Sequence, residues 1–258
     1  MTKLHIERLG AGEPLVMLHG WSMHSAIWYE FAEGLAKHYQ VYLVDLPGHG
    51  LSDTVTPYSL ASVGDAITAA LPNQPSYWLG WSLGATLALS IADRHPERVK
   101  RLVLIAGNPC FVKRADWPGM RVEVLQQFAE QLLQDTSATL LRFLSLQVQG
   151  MTAYKPVLKQ LKVALSKRPT PSEATLQAGL ALLTGTDLRS VLAELNQPVM
   201  ALLGAKDALV PRVLATALAE LNPQIRVNCL NSAAHAPFLS DSAECMALIH
   251  DFFNARHE

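Results

Sequence analysis

The sequence predicts an α/β domain: a mostly parallel central sheet flanked by helices, interrupted by one inserted helical segment. Three observations point there: short apolar runs that recur along the chain, longer helical patterns between them, and a single stretch where the runs stop. The runs are Leu15 to Leu18, Val41 to Val44, Tyr77 to Leu79, Leu102 to Ile105, Val199 to Leu203 and Arg226 to Leu230. Apart from Arg226 and Asn228 in the last, they are apolar at consecutive rather than alternate positions. A strand covered by helices on both faces needs that pattern, whereas a half-solvated antiparallel strand alternates.

From about Phe111 to Thr186 the pattern is helical only. Val124, Leu125, Phe128 and Leu132 form one apolar stripe, and Leu140, Leu141, Leu144 and Val148 a second, at the spacing that puts side chains on one helix face. Pro118-Gly119 and Pro169-Thr170-Pro171 read as turns, and Asp135-Thr136-Ser137 as a helix N-cap. The expected organisation is a core from residues 1–110 and 187–258 with a helical cap, residues 111–186, inserted between two strands.

Composition narrows the function classes. In 258 residues, 50% are hydrophobic and 17% charged, which suits one well-buried domain and excludes a disordered chain. A net charge of −1 carries no overall footprint for nucleic acid. Cys110, Cys229 and Cys245 are widely spaced and contain no CxxC pair, so they read as buried thiols and not as a disulfide framework or zinc site. Charge interrupts the first residues, Lys3 to Glu7, and no later apolar run is long enough to span a bilayer. A cytoplasmic monomer with no membrane contact is the expectation.

Gly80-Trp81-Ser82-Leu83-Gly84 fits G-x-S-x-G. The short pattern gains weight from its setting, because the run Tyr77 to Leu79 ends at it and a helical sequence, Ala85 to Leu89, begins there. In that strand-turn-helix context a strained turn lifts a serine above the sheet, as in the α/β-hydrolase fold. A serine hydroxyl needs a base within hydrogen-bond reach, usually a His held in one tautomer by a carboxylate, and in this fold the order is Ser, acid, His. Asp207 follows the run Val199 to Leu203, and His235 follows the last run in Ala233-Ala234-His235-Ala236-Pro237-Phe238. The catalytic expectation is therefore Ser82, Asp207 and His235. His250 reads as a surface residue of the final helix, His95 as part of a helix-ending turn, and Asp187 and Asp241 as helix caps. The oxyanion formed on attack needs two backbone N–H donors, expected from Leu83 and from Trp21 in His19-Gly20-Trp21, with the Trp21 indole lining the pocket. The loop Asp45-Leu46-Pro47-Gly48-His49-Gly50-Leu51-Ser52 reads as scaffold. Lacking a phosphate-cradling loop, dinucleotide fingerprint or metal-ligand cluster, the sequence predicts no cofactor and no metal.

Charge is unevenly spread. Residues 111–186 carry nine basic and five acidic side chains, a net of +4, leaving −5 for the rest of the chain. Lys155, Lys159 and Lys162 share one helical face. One reading is an ordinary solvated face; the other is an acidic partner docked over the site entrance and steered there by charge. In the same segment, Leu140 to Gln147 offers apolar side chains to roof an acyl pocket, with Gln147 able to reach a substrate oxygen.

Taken together, His19-Gly20-Trp21, the Trp81-Ser82-Leu83 elbow, Asn108-Pro109-Cys110-Phe111, Asp116-Trp117-Pro118-Gly119, Arg142-Phe143-Leu144 with Leu146-Gln147, and the segment around His235 resemble the carboxylesterases of biotin synthesis, over essentially the full chain. The resemblance implies hydrolysis of a methyl ester on a pimeloyl chain attached to acyl carrier protein, with the thioester spared and small esters as surrogate substrates. It implies substrate contacts at Trp21, Ser82, Leu83, His235 and the segment Phe143, Leu144, Ser145, Leu146 and Gln147, and carrier-protein contacts at Arg121, Arg142, Lys155 and Lys159. Lysines at 155 and 159 depart from an arginine-dominated family patch, keeping the charge but losing the bidentate grip. The residues alone leave other readings open: a general short-chain carboxylesterase, a carbon-carbon bond or lactone hydrolase with the same triad, or a ligand receptor that kept the fold and lost catalysis.

Overall fold

The structure is a computed structural model that describes residues 2–255. Its strands in chain order are β1 (Ile6–Leu9), β2 (Glu13–Leu18), β3 (Tyr39–Val44), β4 (Ser76–Trp81), β5 (Val99–Ile105), β6 (Val199–Gly204) and β7 (Arg226–Leu230). Helices α1 (Tyr29–Leu35), α2 (Leu60–Ala70) and α3 (Leu83–Arg94) fall among the first strands, and α4 (Val122–Gln134), α5 (Thr136–Leu146), α6 (Tyr154–Ser166), α7 (Glu173–Gly185) and α8 (Arg189–Glu194) lie between β5 and β6. Helix α9 (Leu214–Leu221) precedes β7, and α10 (Pro237–Ser240) and α11 (Ser242–Asn254) follow it.

The sheet order is β1-β3-β2-β4-β5-β6-β7, parallel throughout except that β1 runs antiparallel to β3. The sequence reading missed β1. Its residues, Ile6-Glu7-Arg8-Leu9, pair along one side only and stay partly exposed, so they lack the continuous apolar run of a strand covered on both faces. Elsewhere the consecutive apolar residues divide between the faces as the pleat requires. Leu15 and Met17 join a core with Trp28, Phe31, Ile249 and Phe252, while Val16 and Leu18 join the opposite core with Ile67, Leu87 and Ile91.

The helical segment is anchored to both cores. Leu125, Phe128 and Leu132 of α4 belong to one, and Val157 and Leu161 of α6 to the other. Asp135 caps α5 by accepting from Ala138 N–H at 2.9 Å. Leu141, expected on the buried stripe, is 46% exposed, and Phe143 takes its place, so the apolar stripe of α5 is turned from the one inferred. Asp241 stands at the start of α11, but its carboxylate accepts from the Ser232 and Ser240 hydroxyls (both 2.6 Å) in place of a helix amide. Cys110 and Cys245 are buried; Cys229 is only half-buried, on the edge strand β7. Among the described residues no helix is long and apolar enough to cross a membrane.

Candidate active site

Strand order reverses between β2 and β4, and the crevice outside the carboxyl ends of such strands is where open α/β sheets bind ligands. Leu18 of β2 pairs with Gly80 of β4. That register sets the loop His19-Gly20-Trp21 beside Trp81-Ser82-Leu83. At the far end, Gly204 of β6 pairs with Leu230 of β7, and the loops beyond them are stitched by Ala205 N–H to Leu230 O and Lys206 N–H to Ala233 O, both 2.9 Å. Asp207 and His235 are thereby carried to one edge.

Ser82 sits at φ 55°, ψ −117°, between the last residue of β4 and the first of α3. Holding a non-glycine residue there costs about 1–3 kcal/mol, and the surroundings must impose it. They do so by close approach: a Cβ on Gly80 would strike the Gly84 carbonyl, and one on Gly84 the Leu18 carbonyl. The Ser82 N–H donates to Ile105 O of the neighbouring strand at 3.0 Å.

The Ser82 hydroxyl lies 2.9 Å from His235 Nε2, and His235 Nδ1 lies 2.7 Å from Asp207 Oδ2. A carboxylate only accepts, so Nδ1 carries the proton and Nε2 is left to accept from the serine hydroxyl. Asp207 is fixed in turn, its Oδ1 accepting from Leu209 N–H (2.7 Å) and Val210 N–H (3.0 Å). All three residues are buried. The main chain of His235 is held at both groups: its N–H donates to Gln147 O at the end of α5 (3.1 Å), and its carbonyl accepts from Trp81 Nε1 (2.7 Å).

Leu83 is the first residue of α3, where an amide has no intrahelical acceptor. Among the described residues the Trp21 amide likewise has no hydrogen-bond acceptor. The loop bearing it is braced by His19, whose Nδ1 donates to Gly20 O (2.9 Å) while Nε2 accepts from Leu46 N–H (2.9 Å). Only a neutral ring can do both. Burial, with the neighbouring His49, accordingly lowers the His19 pKa to about 3, and burial lowers that of His49 to about 4. The scaffold loop after β3 is tied down through Asp45, whose carboxylate accepts from Ser25 N–H (2.7 Å) and Leu51 N–H (2.9 Å).

A sequence model described as the alpha/beta hydrolase fold matches residues 13–242. The chain belongs to the α/β-hydrolase family. Within it, the chain is 43% identical over 249 residues to the pimeloyl-[acyl-carrier protein] methyl ester esterase of Methylococcus capsulatus, covering 96% of this chain and 98% of that one. It is 41% identical over 256 residues to the protein of the same name from Serratia marcescens, covering 99% and 100%. Among solved structures, an esterase from Exiguobacterium antarcticum superposes with a TM-score of 0.88 at 24% identity (98% and 96% covered). A bromoperoxidase from Bacillus anthracis gives 0.89 at 20% (98% and 96% covered). At those identities the likeness is one of fold.

The remaining expected residues of this α/β hydrolase scatter. The Trp21 indole is buried, donates through Nε1 to Leu176 O of α7 (2.9 Å) and packs edge-on against Phe143 at 4.8 Å. An indole N–H seeks a buried acceptor, and α7 supplies one. Phe143 and Gln147 are buried, and Gln147 Oε1 has no partner among the described residues. Leu144 is buried in the other core, with Val157 and Leu161. Ser145 is exposed, its hydroxyl donates to Leu141 O (3.0 Å), and it lines an outer cleft of about 760 Å³ with Leu146, Phe128, Arg121 and Arg142. That cleft reaches neither Ser82 nor His235. Lys155 and Lys159 are exposed on α6, and Lys159 lines a separate groove against α1, so the four basic residues do not share one cavity. Sequence reasoning missed the bracing roles of Trp81 and Leu176. Trp81 lies inside the elbow motif, but nothing in its spacing marks its bond to His235; Leu176 acts through a carbonyl, which has no sequence signature.

Proposed function

We propose that the protein is a serine carboxylesterase that hydrolyses the methyl ester of pimeloyl-[acyl-carrier protein] methyl ester, releasing methanol and leaving the acyl chain on its carrier. The chemistry rests on the hydrogen-bonded chain from Ser82 through His235 to Asp207, and the substrate on full-length likeness to esterases of that name.

Ser82 Oγ attacks the ester carbonyl as His235 Nε2 takes its proton, and the Asp207 carboxylate stabilises the imidazolium that results. Negative charge gathers on the carbonyl oxygen, where the Trp21 and Leu83 N–H groups meet it in a water-poor site. Collapse of the tetrahedral intermediate expels methoxide, which leaves as methanol with the proton held by His235. Water, activated by the same imidazole, then attacks the acyl-serine and frees the carboxylate. In this reading Phe143, which packs against the Trp21 indole, bounds the acyl chain, and the buried Gln147 amide meets a polar group of it. Arg121 and Arg142 flank the outer cleft and, with Lys155 and Lys159 on α6, give an acidic carrier protein a basic face to approach.

Intact-mass measurement of the methyl-esterified pimeloyl carrier protein after incubation tests this directly. Loss of the methyl group with the thioester retained is expected. An unchanged carrier, alongside turnover of p-nitrophenyl esters, would overturn the substrate but keep the mechanism; a Ser82→Ala variant with near-normal turnover would overturn the mechanism.

A further inference from the structure

Helix α7 buries Thr175, Leu176, Gly179, Leu180 and Leu183 as one stripe. Gly179 lies in the helix interior, where glycine is less favourable than alanine because it brings more backbone freedom to be lost. Space explains its presence. A Cβ built on Gly179 would stand 2.7 Å from Trp21 Cδ1, 3.1 Å from Trp21 Nε1 and 3.5 Å from Leu83 Cδ2. The bare face of the helix therefore meets the side chains of both residues whose amides are the oxyanion donors.

The indole has no easy retreat. Its Nε1 is bonded to Leu176 O, one turn before Gly179 on the same helix, and its ring abuts Phe143, which itself packs edge-on against Phe128 at 5.5 Å. Trp21 is followed by Ser22 at φ 65°, so the main chain at this corner already sits in a sparsely allowed region. Pushing the ring moves either α7 or the Trp21 backbone.

We infer that Gly179 is a positioning residue for the oxyanion donors, holding the Trp21 amide in place by admitting the Cδ1–Nε1 edge of the indole close against α7. This rests on Trp21 and Leu83 acting as those donors. An oxyanion donor acts on a developing charge, so its displacement lowers kcat and leaves KM for a small ester nearly unchanged.

The test is a cycle of variants assayed on a p-nitrophenyl ester, with Ser82→Ala in parallel. Gly179→Ala is expected to lower kcat about tenfold or more, short of the roughly 10²–10³-fold that outright loss of a donor costs, with KM within about twofold. In a Trp21→Ala background the same Gly179→Ala change is expected to cost under about twofold, since the ring it strikes is gone. Trp21→Leu, whose flexible branches can turn aside, serves as a second background if Trp21→Ala does not fold. Wild-type kcat in Gly179→Ala, or an equal loss in both backgrounds, would overturn the inference. An active Ser82→Ala would instead overturn the serine mechanism, so the two failures are distinct.

Discussion

Replacing Asp207 by Asn changes one atom, and the hydrogen bonds of its loop decide which one. Oδ1 accepts from the amides of Leu209 and Val210, so that position must remain an oxygen. The new NH₂ group therefore falls at Oδ2, 2.7 Å from His235 Nδ1. An amide nitrogen only donates, so Nδ1 must become the acceptor and the ring proton moves to Nε2. Nε2 then faces the Ser82 hydroxyl with a proton in place of a lone pair, and the base is lost. An Asn in the equivalent place of another serine hydrolase costs about 10⁴-fold, which is about 5.5 kcal/mol of barrier. The fold should be spared, because both loop amides keep their acceptor. Asp207→Ala strands them instead, at about 1–3 kcal/mol each, which for a chain of this size lowers Tm by several degrees. Steady-state kinetics on a p-nitrophenyl ester and a thermal melt separate the two effects. If Asp207→Asn kept kcat within tenfold of wild type, or lost as much Tm as Asp207→Ala, the tautomer argument would be refuted.

Trp81→Phe removes the donor to His235 O, and loss of a hydrogen bond of about 1–1.5 kcal/mol should lower kcat by roughly tenfold with KM unchanged; kinetics that move KM alone contradict the bracing role. His19 and His49, buried neutral with pKa values of about 3 and about 4, make stability fall in acid. The unfolded chain takes up their protons as pH drops below 6.5, so the contribution is full above that value and is lost toward the folded ones. Each ring then costs about 2 kcal/mol by pH 5, which urea unfolding at pH 7.5 and pH 5 would register; a flat profile is incompatible. Arg168, just beyond α6, donates to Glu7 of β1 at 2.6 Å and to Tyr29 at 3.0 Å. The pair is partly solvated, so Arg168→Ala should cost only about 1 kcal/mol in global stability, and a loss of several kcal/mol by urea titration would mean the tie is worth more than its exposure allows.

The sheet was legible because strands covered on both faces need consecutive apolar residues, and that pattern is lost at β1 and broken at β7 by Arg226 and Asn228, the two edge strands, each paired on one side and partly exposed. Ser82, His235 and Asp207 were legible as positions because the register of a parallel sheet places successive loops side by side at one edge, and each residue lies in the turn or loop beyond a strand's carboxyl end. Side-chain direction was not. Spacing put Phe143, Leu144 and Ser145 on one short segment, but three successive helical residues point in three directions, and only packing determines which faces the site. The bond that holds the Trp21 indole was not legible either, since the acceptor that captures the ring is a carbonyl more than 150 positions away along the chain.

Two bonds that join the helical segment to the active-site loops, His235 N–H to Gln147 O and Trp21 Nε1–H to Leu176 O, end on peptide carbonyls. Every amino acid brings that carbonyl. Neither attachment therefore depends on which side chain stands at 147 or 176, provided the helices keep their path. A lineage of such proteins is free to rewrite what it accepts as substrate without first surrendering its grip on the reacting groups.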